Sequence, residues 1–135
     1  MPNGVTPMKE RKLMISEKQL NQLLLQSIAK VLPSGFQVSM IESGIQISAD
    51  GRLGTVVLSG ETMLTYAAGN VDRLSQSLET QLTDLQDFIA ENTGLSWPGI
   101  SVMPKLRVTP ENGLIAISYV IGDQPVLVLD AIRVF

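Results

Sequence analysis

The chain of 135 residues contains no cysteine and no histidine. Without cysteine there is no disulfide framework, no thiolate nucleophile and no Cys-based zinc site. Without histidine, the one side chain whose unperturbed pKa lies near neutrality is missing. Ser-His-Asp and Cys-His triads, HExxH zinc sites and His-ligated iron are therefore excluded within this chain. Aromatics are scarce, with one Trp, two Tyr and three Phe, which makes a poor stacking platform for single-stranded nucleic acid. The net charge of -3 argues in the same direction, because neutralising phosphates needs clustered cations. No apolar run approaches the roughly 18 residues of a membrane helix. The opening MPNGVTPMKERKLM is charged but has no apolar stretch behind it, so no signal peptide is expected. Neither nucleic acid, membrane nor cofactor is an expected partner, and cytoplasmic placement is the default expectation.

What is present is enough apolar content to fold. At 44% apolar and 17% charged, the chain lies outside the disordered class. Its length fits one domain of roughly 100–200 residues. Residues 1–14 read as a flexible tail, broken by Pro2, Gly4 and Pro7 and made basic by Lys9, Arg11 and Lys12. Residues 15–135 read as a single α+β domain.

A first helix is predicted from Glu17 to Leu32. Ser16 and Gln19 form a capping box, Ile15 and Leu20 a hydrophobic staple, and Pro33 ends the run. Leu20, Leu23, Leu24, Leu25, Ile28, Val31 and Leu32 cover an arc wider than one sheet contact needs. Leu23 and Leu25 are therefore candidates for a second surface, either another helix or another subunit. Short strands follow. Phe36, Val38 and Met40 alternate with polar residues, as do Ile45, Ile47 and Ala49, around a Glu42-Ser43-Gly44 hairpin loop. Gly54 to Leu58 reads as a strand buried on both faces. Met63 to Ala68 reads either as a fourth strand or as a short helix.

The second helix starts at Asn70 or Asp72 and ends at Asn92-Thr93-Gly94 through a left-handed glycine. Val71, Leu74, Leu78, Leu82, Leu85 and Ile89 form a narrow stripe over about three heptads. Two readings stay open for it: core, or an antiparallel contact across a dimer twofold axis. A three-strand meander closes the chain, with turns at Glu111-Asn112-Gly113 and Gly122-Asp123 and a last strand from Val126 to Val134.

The predicted fold class is thus α+β. One antiparallel sheet of six or seven strands is joined by two helices, in the order α-β-β-β(β)-α-β-β-β. A faint repeat aligns Ile45-Gln46-Ile47-Ser48 with Ile115-Ala116-Ile117-Ser118, about 70 residues apart, so a pseudo-duplicated α-β-β-β unit is one reading. In element order, size and acidity this arrangement resembles the small chaperones of bacterial secretion systems. The likeness is one of architecture, and architecture alone assigns no function.

No motif carries catalysis. Asp84, Asp87 and Glu91 share a helical face, but opposite the leucine stripe, where a solvated face is the better reading. There is no phosphate loop, no dinucleotide fingerprint and no GxSxG elbow. Trp97 stands in a loop beside Pro98, either closing the core or serving as an anchor for a partner. The expected function is accordingly a non-enzymatic binding or adaptor protein. It would act in a chaperone-like way on an apolar client segment and form a homodimer. A structural subunit of a phage or secretion assembly is the alternative, and a carboxylate-based metal enzyme a distant third. The interface candidates are Leu23, Leu25, Leu74, Leu78, Leu82, Leu85 and Trp97.

Overall fold

The computed structural model describes residues 13–51 and 54–135. The segment expected as a basic tail lies outside the described residues up to Lys12. Its last two positions are tied down: Leu13 packs against the core, and the Met14 N–H donates to the Val134 carbonyl at 2.7 Å.

Helix α1 spans Glu17–Ala29. Both halves of its capping box form: Gln19 N–H donates to Ser16 Oγ at 3.1 Å and Ser16 N–H to Gln19 Oε1 at 2.9 Å. The helix stops before the expected Leu32. Val31 and Leu32 both turn back onto the Ile28 carbonyl, since the residue before Pro33 is sterically pushed out of helical geometry. Strands β1 (Phe36–Ile41), β2 (Gly44–Ala49) and β3 (Thr55–Leu58) form an antiparallel meander. Ile45 and Ile47 are its fully buried centre. Gly44 is required at the hairpin because a Cβ there would collide with the Leu58 carbonyl of β3. The expectation that β3 is buried on both faces fails: Thr55 and Val57 are exposed, because β3 is an edge strand covered on one side only.

The ambiguous stretch after β3 is a helix, α2 (Gly60–Ala67), so the chain has three helices where two were expected. Ser59 caps it by accepting from the Thr62 N–H, and Ala68 closes it in a left-handed conformation. Helix α3 follows from Val71 to Thr93, capped by Asn70 and terminated by left-handed Gly94. The remaining strands are β4 (Lys105–Glu111), β5 (Leu114–Ile121), β6 (Gln124–Val128) and β7 (Ile132–Arg133).

Two antiparallel sheets replace the single sheet that was expected. One has three strands, β1-β2-β3. The other has four, with β4 on one side of β5 and β6 and β7 on the other. The reason lies in α3, whose stripe packs against both β3 and β4 and so occupies the seam between the two meanders. The expected last strand is also split. The Asp130 N–H donates to Ser27 Oγ of α1 at 3.0 Å instead of continuing a ladder, and the chain rejoins β5 only at Ile132.

The two halves match as strands and differ as turns. Ile45 and Ile47 of β2 and Ile115 and Ile117 of β5 all face the core. The two-residue loop, however, is Glu42-Ser43 in the first hairpin and Asn112-Gly113 in the second, so the two glycines are not equivalent. Both residues of the second loop have positive φ (52° and 80°), the requirement of a type I′ turn.

Candidate docking surface

The interface candidates divide by burial. Leu74, Leu78, Leu82 and Leu85 are buried to 1% exposure or less, in the same cluster as Leu20, Ile45 and Ile117. Their side chains fill this chain's own core, so another subunit could reach them only by opening it. Leu25 is partly buried against the same cluster. Leu23 is different: it is exposed and lines a groove of about 400 Å³ between α1 and the segment Arg133–Phe135, with Gln19, Gln22 and Gln26 along the helix.

Trp97 is half-buried. Its ring meets Tyr119 of β5 edge-on, with centroids 5.6 Å apart, and it packs on the core. Tyr119 is itself fully buried, its hydroxyl donating to the Leu82 carbonyl of α3 at 3.3 Å. Burial pushes the Tyr119 phenol well above its usual ionisation range. Trp97 thus fastens the loop between α3 and β4 to the end of the second sheet.

That loop exposes a group of apolar side chains. From Asn92 to Pro104 it contains no charged residue. Leu95, Ile100, Val102 and Met103 are all exposed, Ile100 to 76% and Val102 to 55%. The backbone beneath them is held in place. Gln86 is buried in α3, and its amide donates to the Pro104 carbonyl at 3.0 Å and contacts Met103 Sδ at 3.1 Å. The Ser96 N–H donates to the Ile100 carbonyl, and a Cβ on Gly99 would strike the Val102 carbonyl. The loop leads into Lys105, which is registered on Val120. Exposed Ile121 follows on β5, and exposed Val126 and Val128 lie on neighbouring β6.

Exposed apolar side chains clustered on an ordered loop are unusual, because monomeric proteins keep large apolar patches for contacts. Sequence reading found Trp97 but missed Ile100, Val102 and Met103. The signal was available in the absence of charge between Asn92 and Pro104. A second groove, of about 600 Å³, lies between the start of α1 (Ser16, Glu17, Lys18, Asn21, Gln22) and the end of β1 (Met40, Ile41, Glu42).

Asp84, Asp87 and Glu91 are exposed, and no cluster of three or more acidic side chains among the described residues could hold a metal ion. Likewise no helix among the described residues is long and apolar enough to cross a membrane. Compared with protein-family models, with curated proteins and with solved structures, the chain matches none.

Proposed function

We propose that this protein is a non-enzymatic binding module, of chaperone or adaptor type, that docks a protein partner on the loop between α3 and β4. The single observation behind this reading is the exposed apolar quartet Leu95, Ile100, Val102 and Met103 on an uncharged loop that Gln86 and Trp97 hold in place. An ordered apolar surface keeps the conformational cost of association low. Its affinity comes from desolvation and should survive salt, unlike a contact between exposed charges.

The test is capture of partners from the native cell at low and at high salt, with wild-type protein and with Ile100→Glu/Val102→Glu. The expected result is a stoichiometric partner retained at high salt and lost in the double variant, whose melting temperature stays within a few degrees of wild type. Retention of the same partner by the double variant would overturn the reading. Self-association on this surface is the second reading. It is favoured by Ile121, Val126 and Val128, which are further exposed apolar residues on the second sheet. Light scattering separates the two: a wild-type dimer that dissociates in the double variant supports the second reading, and a wild-type monomer removes it.

A further inference from the structure

We propose that β1 is a strand-addition site, taking an extended peptide from a protein partner, with apolar residues in alternation and a basic residue beside Glu42. The inference rests on the reading of the chain as a protein-binding module, but it concerns a different surface from the α3–β4 loop.

Sheet edges are templates for further pairing, and most proteins blunt them with proline, charge, bulges or a covering element. Two of the other edges are managed by their own residues: β4 carries Lys105, Arg107, Pro110 and Glu111, and β6 carries Pro125 and faces an irregularity in β5. Helix α3 packs on β3 and α1 on β1, but β1 has no charge, proline or bulge of its own: its six residues are FQVSMI, and its register with β2 is unbroken.

The register also shows which main-chain groups are open. A two-residue loop makes the flanking pair Ile41↔Gly44 hydrogen-bonded, and antiparallel pairs alternate. Ser39 and Gln37 therefore bond to β2, while the N–H and C=O of Val38 and Met40 point away from it. Among the described residues no strand lies on that side. The Phe36 N–H, the next outward donor, is already taken by the Pro33 carbonyl at 3.2 Å. The open ladder is thus two alternating residues long, centred on Val38 and Met40.

The groove between β1 and the start of α1 gives the incoming strand somewhere to put its side chains. Met40 is 46% exposed on this groove, an apolar floor for one inward residue. Glu17 and Glu42 stand at its ends against a single Lys18, and neither glutamate is ion-paired among the described residues. That imbalance favours a peptide with a cationic residue. It is also the reason for preferring a peptide to a second copy. Two copies joined β1 to β1 would bring a second Glu17 and Glu42 to an already acidic groove, whereas a cationic peptide neutralises it.

The test uses the full chain and a fluorescein-labelled probe, acetyl-Lys-Val-Gln-Val-Thr-Val-Lys-amide, beside the same peptide with glutamate at both ends. Binding is read by anisotropy and the site by amide hydrogen exchange. The expected result is saturable binding of the lysine peptide, at least about tenfold tighter than the glutamate peptide, with slowed exchange at Val38 and Met40. Val38→Pro removes one outward donor without touching the β2 ladder and should abolish binding; Glu42→Gln should shrink the preference for lysine. If Val38→Pro fails to fold, the exchange pattern of the wild type decides alone.

No saturation by either peptide up to about 1 mM, the weak limit of a specific contact, would overturn the proposal. So would protection mapped to Ile100–Met103, or protection of Val38 and Met40 that appears without peptide. Protection that rises with protein concentration would assign the edge to a second copy, and protection independent of concentration to the chain's own basic segment 1–12. Ile100→Glu/Val102→Glu should keep its peptide affinity, so failure of this proposal and failure of the loop reading give different results.

Discussion

Gly60, the first residue of α2, offers the sharpest test of how the three helices are joined. Its N–H donates to Asn21 Oδ1 of α1 at 2.8 Å, while the neighbouring Ser59 N–H donates to Gln81 Oε1 of α3 at 2.7 Å. Two helix-start donors that water cannot easily reach are thus satisfied by side chains from the other two helices. Asn21 is only 5% exposed, so its amide depends on this junction. An alanine at position 60 would place its Cβ 2.6 Å from Asn21 Oδ1 and 3.1 Å from the Glu17 carbonyl. The first contact is impossible, so Asn21 must swing away. The cost has two parts: the lost hydrogen bond and an unsatisfied buried amide, together about 1–3 kcal/mol. Alanine returns at most about 1 kcal/mol of helix propensity. Gly60→Ala should therefore destabilise by about 1–2 kcal/mol, which for a chain of this size lowers Tm by about 4–7 °C. Urea denaturation of wild type, Gly60→Ala, Asn21→Ala and the double variant completes the measurement. With Asn21 trimmed, the severe contact is gone and only the tighter-than-usual approach to the Glu17 carbonyl remains, so the double variant should be more stable than the sum of the singles by about 1 kcal/mol. Additivity within about 0.5 kcal/mol, or a stabilised Gly60→Ala, would refute the close contact.

Two further outcomes follow from the core. Leu82→Ala should cost about 2–5 kcal/mol in urea denaturation, because the side chain is wholly buried, whereas Leu23→Ala on the open groove should cost under about 1 kcal/mol; similar costs at the two sites would contradict the division between stripe and groove. Tyr119 makes stability sensitive to alkali. Its folded phenol ionises above the unfolded one, so its full contribution is present below about pH 10 and is lost as pH climbs towards the raised folded value, at about 1.4 kcal/mol per pH unit. Urea midpoints between about pH 9 and 11.5 should therefore fall more steeply for wild type than for Tyr119→Phe, and parallel curves would refute the burial of that hydroxyl.

Much of the local structure was legible because it is written in short-range chemistry. Ser16 with Gln19, Asn70 and Gly94 set helix ends by direct hydrogen bonds or by backbone conformation, and each acts where the sequence places it. The Asn112-Gly113 turn is equally local. The stripe from Val71 to Ile89 was legible as a face, but not as the face of one subunit or of two, since periodicity reports burial and not the identity of the neighbour. What the sequence hid was long-range. Whether Met63–Ala68 becomes strand or helix depends on Asn21, 39 positions upstream of Gly60, and on Gln81. The break at Asp130 depends on Ser27, 103 positions away. The separation into two sheets depends on α3 entering the seam. At the candidate surface the tryptophan is conspicuous in the sequence but is half-buried packing, while the exposed loop beside it is marked only by missing charge.

All strand pairings here join neighbours along the chain, except that β7 reaches back to β5 past β6. A sheet made of successive hairpins closes short loops, and short loops close quickly and at small entropic cost. Each meander can therefore assemble without waiting for the other, and the slow event is left to α3, which must find both at once. Mechanically, the helix is the axle of the molecule. Pulling the two sheets apart would break no interstrand ladder between them; the resistance would come from the leucines of α3 and from the ties of α1 and its lead-in to the end of the chain, Ser27 to Asp130 and Met14 to Val134.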